Sequence, residues 1–322
     1  MPFARYLLGR GLFALVLVVV VSSSAVVLTL AAPGDFVAED IGMDPTLLQQ
    51  RRDLLGLNDA RPVQYARWVS RAARFDFGDS LLYTRPVSAL IGERARNTAI
   101  LATSALILAT LVGIPLGIYT GSRRRGAVVR VIRAFSILLL SAPPLLASLG
   151  LVMLAARTGW LPVGGMVSAA ADASWRVWLW DVLQHLSLPA LALALPLGAM
   201  LERLQSQAMS DAVKEPFVQA AEARGLSRDQ AMLRHGWPVS LGAVLGIYGL
   251  IIGTLFSGSF IVEVVTAWPG LGRLMYDALR ARDLYLVAGC AATGALFLAL
   301  GTFVSDLLLA AADPRARLGA RT

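Results

Sequence analysis

Residues 97–122 read NTAILATSALILATLVGIPLGIYTGS, a run without one charged side chain. At about 1.5 Å of rise per residue, a helix of some 20 such positions crosses a hydrocarbon core of roughly 30 Å. Lipid offers backbone N–H and C=O groups no partner, so a crossing segment must satisfy them internally, as a helix does. Five more stretches are equally free of charge: 11–34, 134–156, 182–201, 235–262 and 284–305. Six buried helices of a large soluble protein would give the same local pattern. With 57% hydrophobic residues and a mean hydropathy of +0.65, the pattern reads as lipid-facing instead. The expectation is an all-α polytopic membrane protein with six transmembrane helices.

Orientation follows from the arginines. With the N-terminus cytoplasmic, the inner segments are 1–10, 123–133, 202–234 and 306–322; they hold 15 Lys and Arg against 7 acids. The outer segments 35–96, 157–181 and 263–283 hold 14 of each sign. The formal charge of +8 therefore lies on one side, which places both termini in the cytoplasm. A basic balance that would indicate nucleic acid in a soluble chain here reflects orientation.

Three parts are expected: 1–31 as the first transmembrane helix, 32–96 as an external segment with short helices, and 97–322 as a core with five transmembrane helices. Arg5, Arg10 and Ala31-Ala32 could form a cleaved signal, but the first window is longer than the usual 7–15-residue apolar region and reads as a retained helix. Cys290 is the sole cysteine, so the chain forms no internal disulfide, and it reads as a small packing residue in the last helix.

In the outer segment, Asp44, Pro45 and Gly56 have the positions of N-cap, first-turn proline and C-terminal glycine around an apolar run. Pro62 opens a second helical pattern with Val63, Tyr65, Ala66, Val69, Ala72 and Ala73, and a charged face of Arg67, Arg71 and Arg74. Trp160, Trp175, Trp178 and Trp180 fit a membrane–water interface better than a sugar-stacking platform. Pro115, Pro143, Pro144, Pro189 and Pro196 fall inside apolar windows, where neighbouring helices can satisfy freed carbonyls and kinks are tolerated.

Several chemistries are excluded. Lys214 is the single lysine and precedes Glu215, so no phosphate-binding Gly-x-x-x-x-Gly-Lys-Ser/Thr loop exists. His185 and His235 fall on opposite sides of the proposed membrane and cannot share a metal. Ser257 and Ser259 lie a helix length from His235, which removes an intramembrane protease. The windows contain no charged group for an ion relay; only His185 and His235 sit at their ends. The chain shows neither a nucleotide site nor an ion-coupling site, so if it transports a solute its energy comes from elsewhere.

Residues 210–238, SDAVKEPFVQAAEARGLSRDQAMLRHGWP, read as two short helices joined at Gly225. Phe217, Ala220, Ala221 and Arg224 have the spacing of one narrow face. Gly225 can adopt positive φ and stop the helix, and Ser227-x-x-Gln230 is a capping box for the second. Pro238 opens the next membrane helix. Small side chains on an exposed helix let another protein approach closely.

This segment resembles the cytoplasmic coupling loop of permease subunits in ATP-binding-cassette importers, with pattern Glu-Ala-Ala-x₃-Gly-x₉-Ile-x-Leu-Pro. Gln219, Ala220, Ala221, Gly225, His235, Trp237 and Pro238 occupy those positions; Gln219, His235 and Trp237 depart from the family residues. More of the chain is similar to the B-type subunit of dipeptide/oligopeptide/nickel importers: Asp76-Phe77-Gly78-Asp79-Ser80, Arg85-Pro86-Val87, Gly159-Trp160-Leu161-Pro162-Val163, Leu188-Pro189-Ala190-Leu191, Trp268-Pro269-Gly270-Leu271-Gly272-Arg273 and Asp313-Pro314-Arg315.

The resemblance implies the importer permease fold in a bacterial or archaeal cytoplasmic membrane. It also implies a heterodimer with a second homologous permease, two cytoplasmic ATPase subunits or domains and an external solute-binding protein. ATP and Mg belong to those ATPases; this chain needs no cofactor or metal and performs no covalent chemistry. The ATPase-coupling set it implies is Phe217, Gln219, Ala220, Ala221, Arg224, Gly225, Leu226, His235 and Pro238. Di- and oligopeptides are the expected cargo, with nickel chelates, glutathione and glycosides as alternatives. A secondary carrier or a membrane scaffold subunit is the alternative of another class.

Overall fold

The computed structural model describes residues 2–34, 36–39, 44–74, 76–123, 125–168 and 174–312. Among them the α-helices are, in chain order, α1 (Pro2–Ala31), α2 (Pro45–Leu55), α3 (Arg61–Ala72), α4 (Val87–Ser122), α5 (Ala127–Ser141), α6 (Pro144–Thr158) and α7 (Trp175–Ala212). They continue as α8 (Pro216–Ala223), α9 (Arg228–Ala231), α10 (Trp237–Leu245), α11 (Tyr248–Val265), α12 (Leu271–Arg280) and α13 (Leu284–Ala312). The family motif at 313–315 lies outside the described residues.

The uncharged windows do not all become straight rods. Leu8–Ala31, α4, α7 and Leu284–Val304 are each long and apolar enough to cross a membrane alone. Window 134–156 instead divides into α5 and α6, bent by 106°. Consecutive prolines explain the corner: Pro144 biases Pro143 away from helical backbone, and Pro143 sits at ψ 142°. By length and composition the described helices give four crossings, or five if the bent pair counts as one. Window 235–262 is broken too, with a two-residue turn at Gly246 and Ile247 between α10 and α11. Pro115, Pro189 and Pro196, by contrast, stay inside uninterrupted α4 and α7.

Two units organise the packing. One contains Phe3–Thr98 and Pro269–Ala299. Here α2 is capped as its sequence required: the Asp44 side chain accepts from the Thr46 N–H, Pro45 opens the helix, and Gly56 closes it at φ +65°. α3 turns differently from expectation. Val63 and Val69 face outward, whereas Trp68 is buried and packs with Val26, Leu284 and Ala288, flanked by Tyr65 and Ala72. The indole offers the most apolar surface on the helix, so it sets which face turns inward. Arg67 pairs with Asp59, and Arg71 with Asp76 at 2.8 Å. That bond, and a second from the Gly78 N–H, holds the Asp76 carboxyl below its ordinary pKa.

The 76–80 motif closes this unit. Ser80 Oγ donates to the Asp283 carboxylate at 2.6 Å, and the N–H groups of Leu82 and Leu286 donate to it at 3.1 Å each. Asp283 thereby caps α13 while gripping the segment before α4. Within α4, Thr98 Oγ1 accepts from the Leu271 N–H at 2.7 Å, and Asn97 Nδ2 donates to the Pro269 carbonyl at 2.8 Å.

The second unit contains Ala99–Trp268 and the chain from Leu300. Its core gathers Leu101, Ala105, Leu193, Leu197, Leu201, Ile251 and Trp268. The absence of charged side chains expected for the helix interiors does not extend to the buried interior. Glu202, Glu263 and Asp283 are 1%, 0% and 0% exposed, and each lies one residue beyond an uncharged window. Neighbouring helices shield that extra turn, so burial outlasts hydrophobicity along the chain. The four tryptophans at 160, 175, 178 and 180 are exposed.

Candidate functional site

The 210–238 segment builds a compact helix–turn–helix from local rules. α7 ends at Ala212, and Pro216 enters α8 at its first turn, where its missing N–H costs nothing. Gly225 breaks away at φ +96°, with no atom within 4 Å of a Cβ placed there. Its constraint is therefore backbone conformation rather than space. Ser227 and Gln230 cap α9 reciprocally: the Gln230 N–H donates to Ser227 Oγ at 3.4 Å, and the Ser227 N–H to Gln230 Oε1 at 3.2 Å.

Val218, Ala221 and Ala231, with Leu226, form the small core that holds the two helices together. The face expected from spacing is thus divided. Phe217, Ala220 and Arg224 point outward, whereas Ala221 faces into the loop's own core. The reason is the partner helix: Ala231 closes on positions 218 and 221, a contact that periodicity along one helix does not contain. Gln219 is exposed, and its Nε2 donates to the Lys214 carbonyl at 3.2 Å, a bond an ionised glutamate could not make.

After α9 the chain widens into a π-helical turn, Met232–Gly236, and enters α10 without a break. The Trp237 N–H reaches Met232 O, five residues back. Pro238, having no N–H, cannot donate within the ladder, and the wide turn absorbs that register change. His235 lies half-buried in this turn, and Pro238 is exposed at the start of α10. α9, the π turn and α10 thereby form one continuous helical path. The loop also touches the end of α4, where Arg228 Nη2 donates to the Ser122 carbonyl at 3.4 Å and Arg123 pairs with Asp229 at 3.5 Å. Tyr119, and after it Asp229, raises the Arg123 pKa.

Behind the loop lies a polar seam that the sequence reading missed. Thr120 Oγ1 donates to Glu202 Oε1 at 2.5 Å, Arg133 Nη2 donates to the Thr120 carbonyl at 3.0 Å, and Gln205 Nε2 donates to Ser240 Oγ at 2.8 Å. These bonds tie α4, α5, α7 and α10 together. Glycines at 113, 117 and 121 make the approach possible. A Cβ on Gly113 would lie 2.5 Å from the Gly198 carbonyl oxygen, one on Gly117 2.6 Å from Gln205 Cβ, and one on Gly121 2.5 Å from the Ser206 carbonyl oxygen. The four-residue repeat of glycine was the available signal.

Residues 113–318, which include this loop and seam, match the family of binding-protein-dependent transport system inner membrane components. The chain belongs to this family. It is also 32% identical over 318 residues to the oligopeptide transport system permease protein AppB of Bacillus subtilis, covering 97% of this chain and 99% of that one. The oligopeptide transport system permease protein OppB of Mycobacterium bovis is 31% identical over 270 residues, with 82% and 83% covered. A putative peptide transport system permease protein of Brucella abortus is 33% identical over 291 residues, with 88% and 90% covered. The protein is thus a multi-pass inner-membrane permease of the ATP-binding-cassette importer class, which works with ATPase and solute-binding partners.

Proposed function

We propose that this permease carries short peptides inward as one half of a heterodimer, driven by two ATPase subunits that dock on residues 210–238. An external binding protein delivers the cargo. ATP and Mg reside on the ATPases, and this chain catalyses no covalent step. The observation that carries the reading is the unbroken path from an exposed helix–turn–helix through the π turn into α10, in a family whose transport depends on partner proteins. The peptide cargo rests on the names of the relatives, and the outer segments, with 14 acids and 14 basic residues, impose no net field against zwitterions.

Reconstituted vesicles holding all the partners should accumulate a labelled tripeptide only with ATP and the binding protein present. Unlabelled di- to oligopeptides should compete. Saturable nickel or glycoside uptake without peptide competition would replace the peptide reading. Failure of the ATPase subunits to co-purify with the chain would overturn the docking proposed for residues 210–238.

The proposed topology has six crossings, with the bent α5–α6 pair and the α10–α11 pair each counted as one, and both termini cytoplasmic. In a Cys290→Ala background, cysteines replacing Thr84 and Arg125, both exposed, should react with a membrane-impermeant maleimide from opposite sides. Reaction from the same side would overturn this map.

A further inference from the structure

A cavity of about 400 Å³ opens where the last turn of α1, the start of α3 and the turn between α12 and α13 meet. All of these elements belong to the first unit. Thr29 and Leu30, near the end of one membrane-crossing helix, line the cavity with Leu284, which begins another. The cavity therefore lies at the level where hydrocarbon gives way to headgroups, on the side that the charge partition places outside.

Two guanidinium groups line this space without an acid of their own. Arg282 is half-buried and Arg61 exposed, and neither side chain has a hydrogen bond or ion pair among the described residues. Asp59, the one acid in the wall, is paired with Arg67. Arg282 follows α12 in left-handed backbone, at φ +56°, a position that glycine usually fills. Gly34 makes room for its side chain, since a Cβ there would overlap Arg282 Nη1. A strained backbone at one residue and an absent side chain at another thus keep a cation in the wall. The start of α3 adds the same sign, because its N-cap residue Ala60 offers no side-chain acceptor.

An anion bound at this level can carry hydrocarbon beneath it. Only 11% of the most apolar window of α1 is buried, and Val27 and Leu28, one turn below the cavity, are exposed. Phosphate oxygens match the guanidinium fork. With Asp59 engaged, the wall holds no free acid for a choline or ethanolamine group, which favours a headgroup of net negative charge.

We propose that this cavity binds one anionic phospholipid, with its phosphodiester on Arg282 and Arg61 and its acyl chains along α1. A water-soluble phosphate ester carries the same anion, and the test separates the two sources.

The complete importer, purified in detergent, is titrated with phosphatidylglycerol or phosphatidylcholine, and bound lipid is counted by native mass spectrometry. Phosphatidylglycerol should bind the parent about ten-fold more tightly, and Arg282→Gly or Arg61→Gln should each remove about that factor, the loss expected for one charge-assisted hydrogen bond. Glycine also relieves the left-handed backbone, so Arg282→Gly should lose lipid without melting earlier in phosphatidylcholine. Arg74→Gln removes an exposed cation outside the cavity wall and should bind lipid as the parent does. Should Arg282→Gly not assemble, Arg61→Gln decides alone.

Equal affinity for the two lipids, or unchanged phosphatidylglycerol binding in both cavity variants, overturns the site. An equal loss in Arg74→Gln assigns the attraction to diffuse surface charge and overturns it too. Displacement of the lipid by sn-glycerol 3-phosphate at equal concentration would give the cavity to a soluble ester. Weaker capture of the external binding protein by Arg282→Gly, with lipid binding unchanged, would give the arginines to a protein contact; either result overturns the lipid site.

Discussion

Gly117→Val is expected to prevent close packing of α4 on α7 and to leave little folded permease after detergent extraction. A Cβ at 117 falls 2.6 Å from Gln205 Cβ and 2.7 Å from the Glu202 carbonyl oxygen. Neither neighbour can give way cheaply, since one contact is helix backbone and the other is anchored beside the Gln205–Ser240 bond. Overpacking of this kind costs about 1–3 kcal/mol and occasionally more, a large part of a stability of roughly 5–15 kcal/mol. The effect should exceed that volume term, because separating the helices also stretches the Thr120–Glu202 bond and exposes the seam. Gly92→Ala, on the same helix with no atom within 4 Å of the new Cβ, should behave as the parent. Thermal unfolding followed by size-exclusion fluorescence compares the two. Equal melting of Gly117→Val and parent would show that the glycine repeat does not hold this interface.

What the sequence made legible was what one segment decides by itself. Uncharged runs located the apolar helices, Asp44 and Gly56 bounded α2, and Ser227 with Gln230 announced their reciprocal cap. Each is a local matter of caps, dihedrals or transfer free energy. Consecutive prolines at 143 and 144 could have foretold the 106° corner, yet the run of apolar residues through them was the stronger pattern and hid it. Features that need a neighbour were illegible. Ala221 turned inward because Ala231 lies across from it, and Trp68 took the buried face of α3 because Val26 and Ala288 receive it. Glu202 seemed to begin a solvated segment, since charge alone marks where water starts only if no other helix covers that turn. The candidate loop could be located but its outward face could not, and the polar seam behind it depends on four helices at once.

Gly225→Val and Phe217→Ala are expected to weaken ATPase docking and lower substrate-stimulated hydrolysis and transport together, while leaving the membrane helices folded. At φ +96° a β-branched side chain is strained by about 1–3 kcal/mol, although open space surrounds the position. The chain relieves that strain most easily by re-angling α8 against α9, which displaces Phe217, Ala220 and Arg224 from any surface shaped to receive them. Phe217 is the outer aromatic of α8, 44% exposed, and has the character of an anchor that a partner's groove would bury. Truncation of such an anchor commonly costs 2 kcal/mol or more, about thirty-fold in affinity. Ala221→Trp tests a different point, since it should burst the loop's own core rather than the docking face. Ala220→Trp adds bulk outside and should weaken ATPase binding with the loop intact. In one reconstituted preparation, ATPase co-purification, substrate-stimulated hydrolysis and tripeptide uptake should fall together for Gly225→Val, Phe217→Ala and Ala220→Trp, while melting stays near the parent. Uptake at the parent's rate in all three would remove this loop from energy coupling. Transport would then have to be driven through another cytoplasmic surface, and the continuous helix from Arg228 to Leu245 would lose its proposed role as the transmitting element.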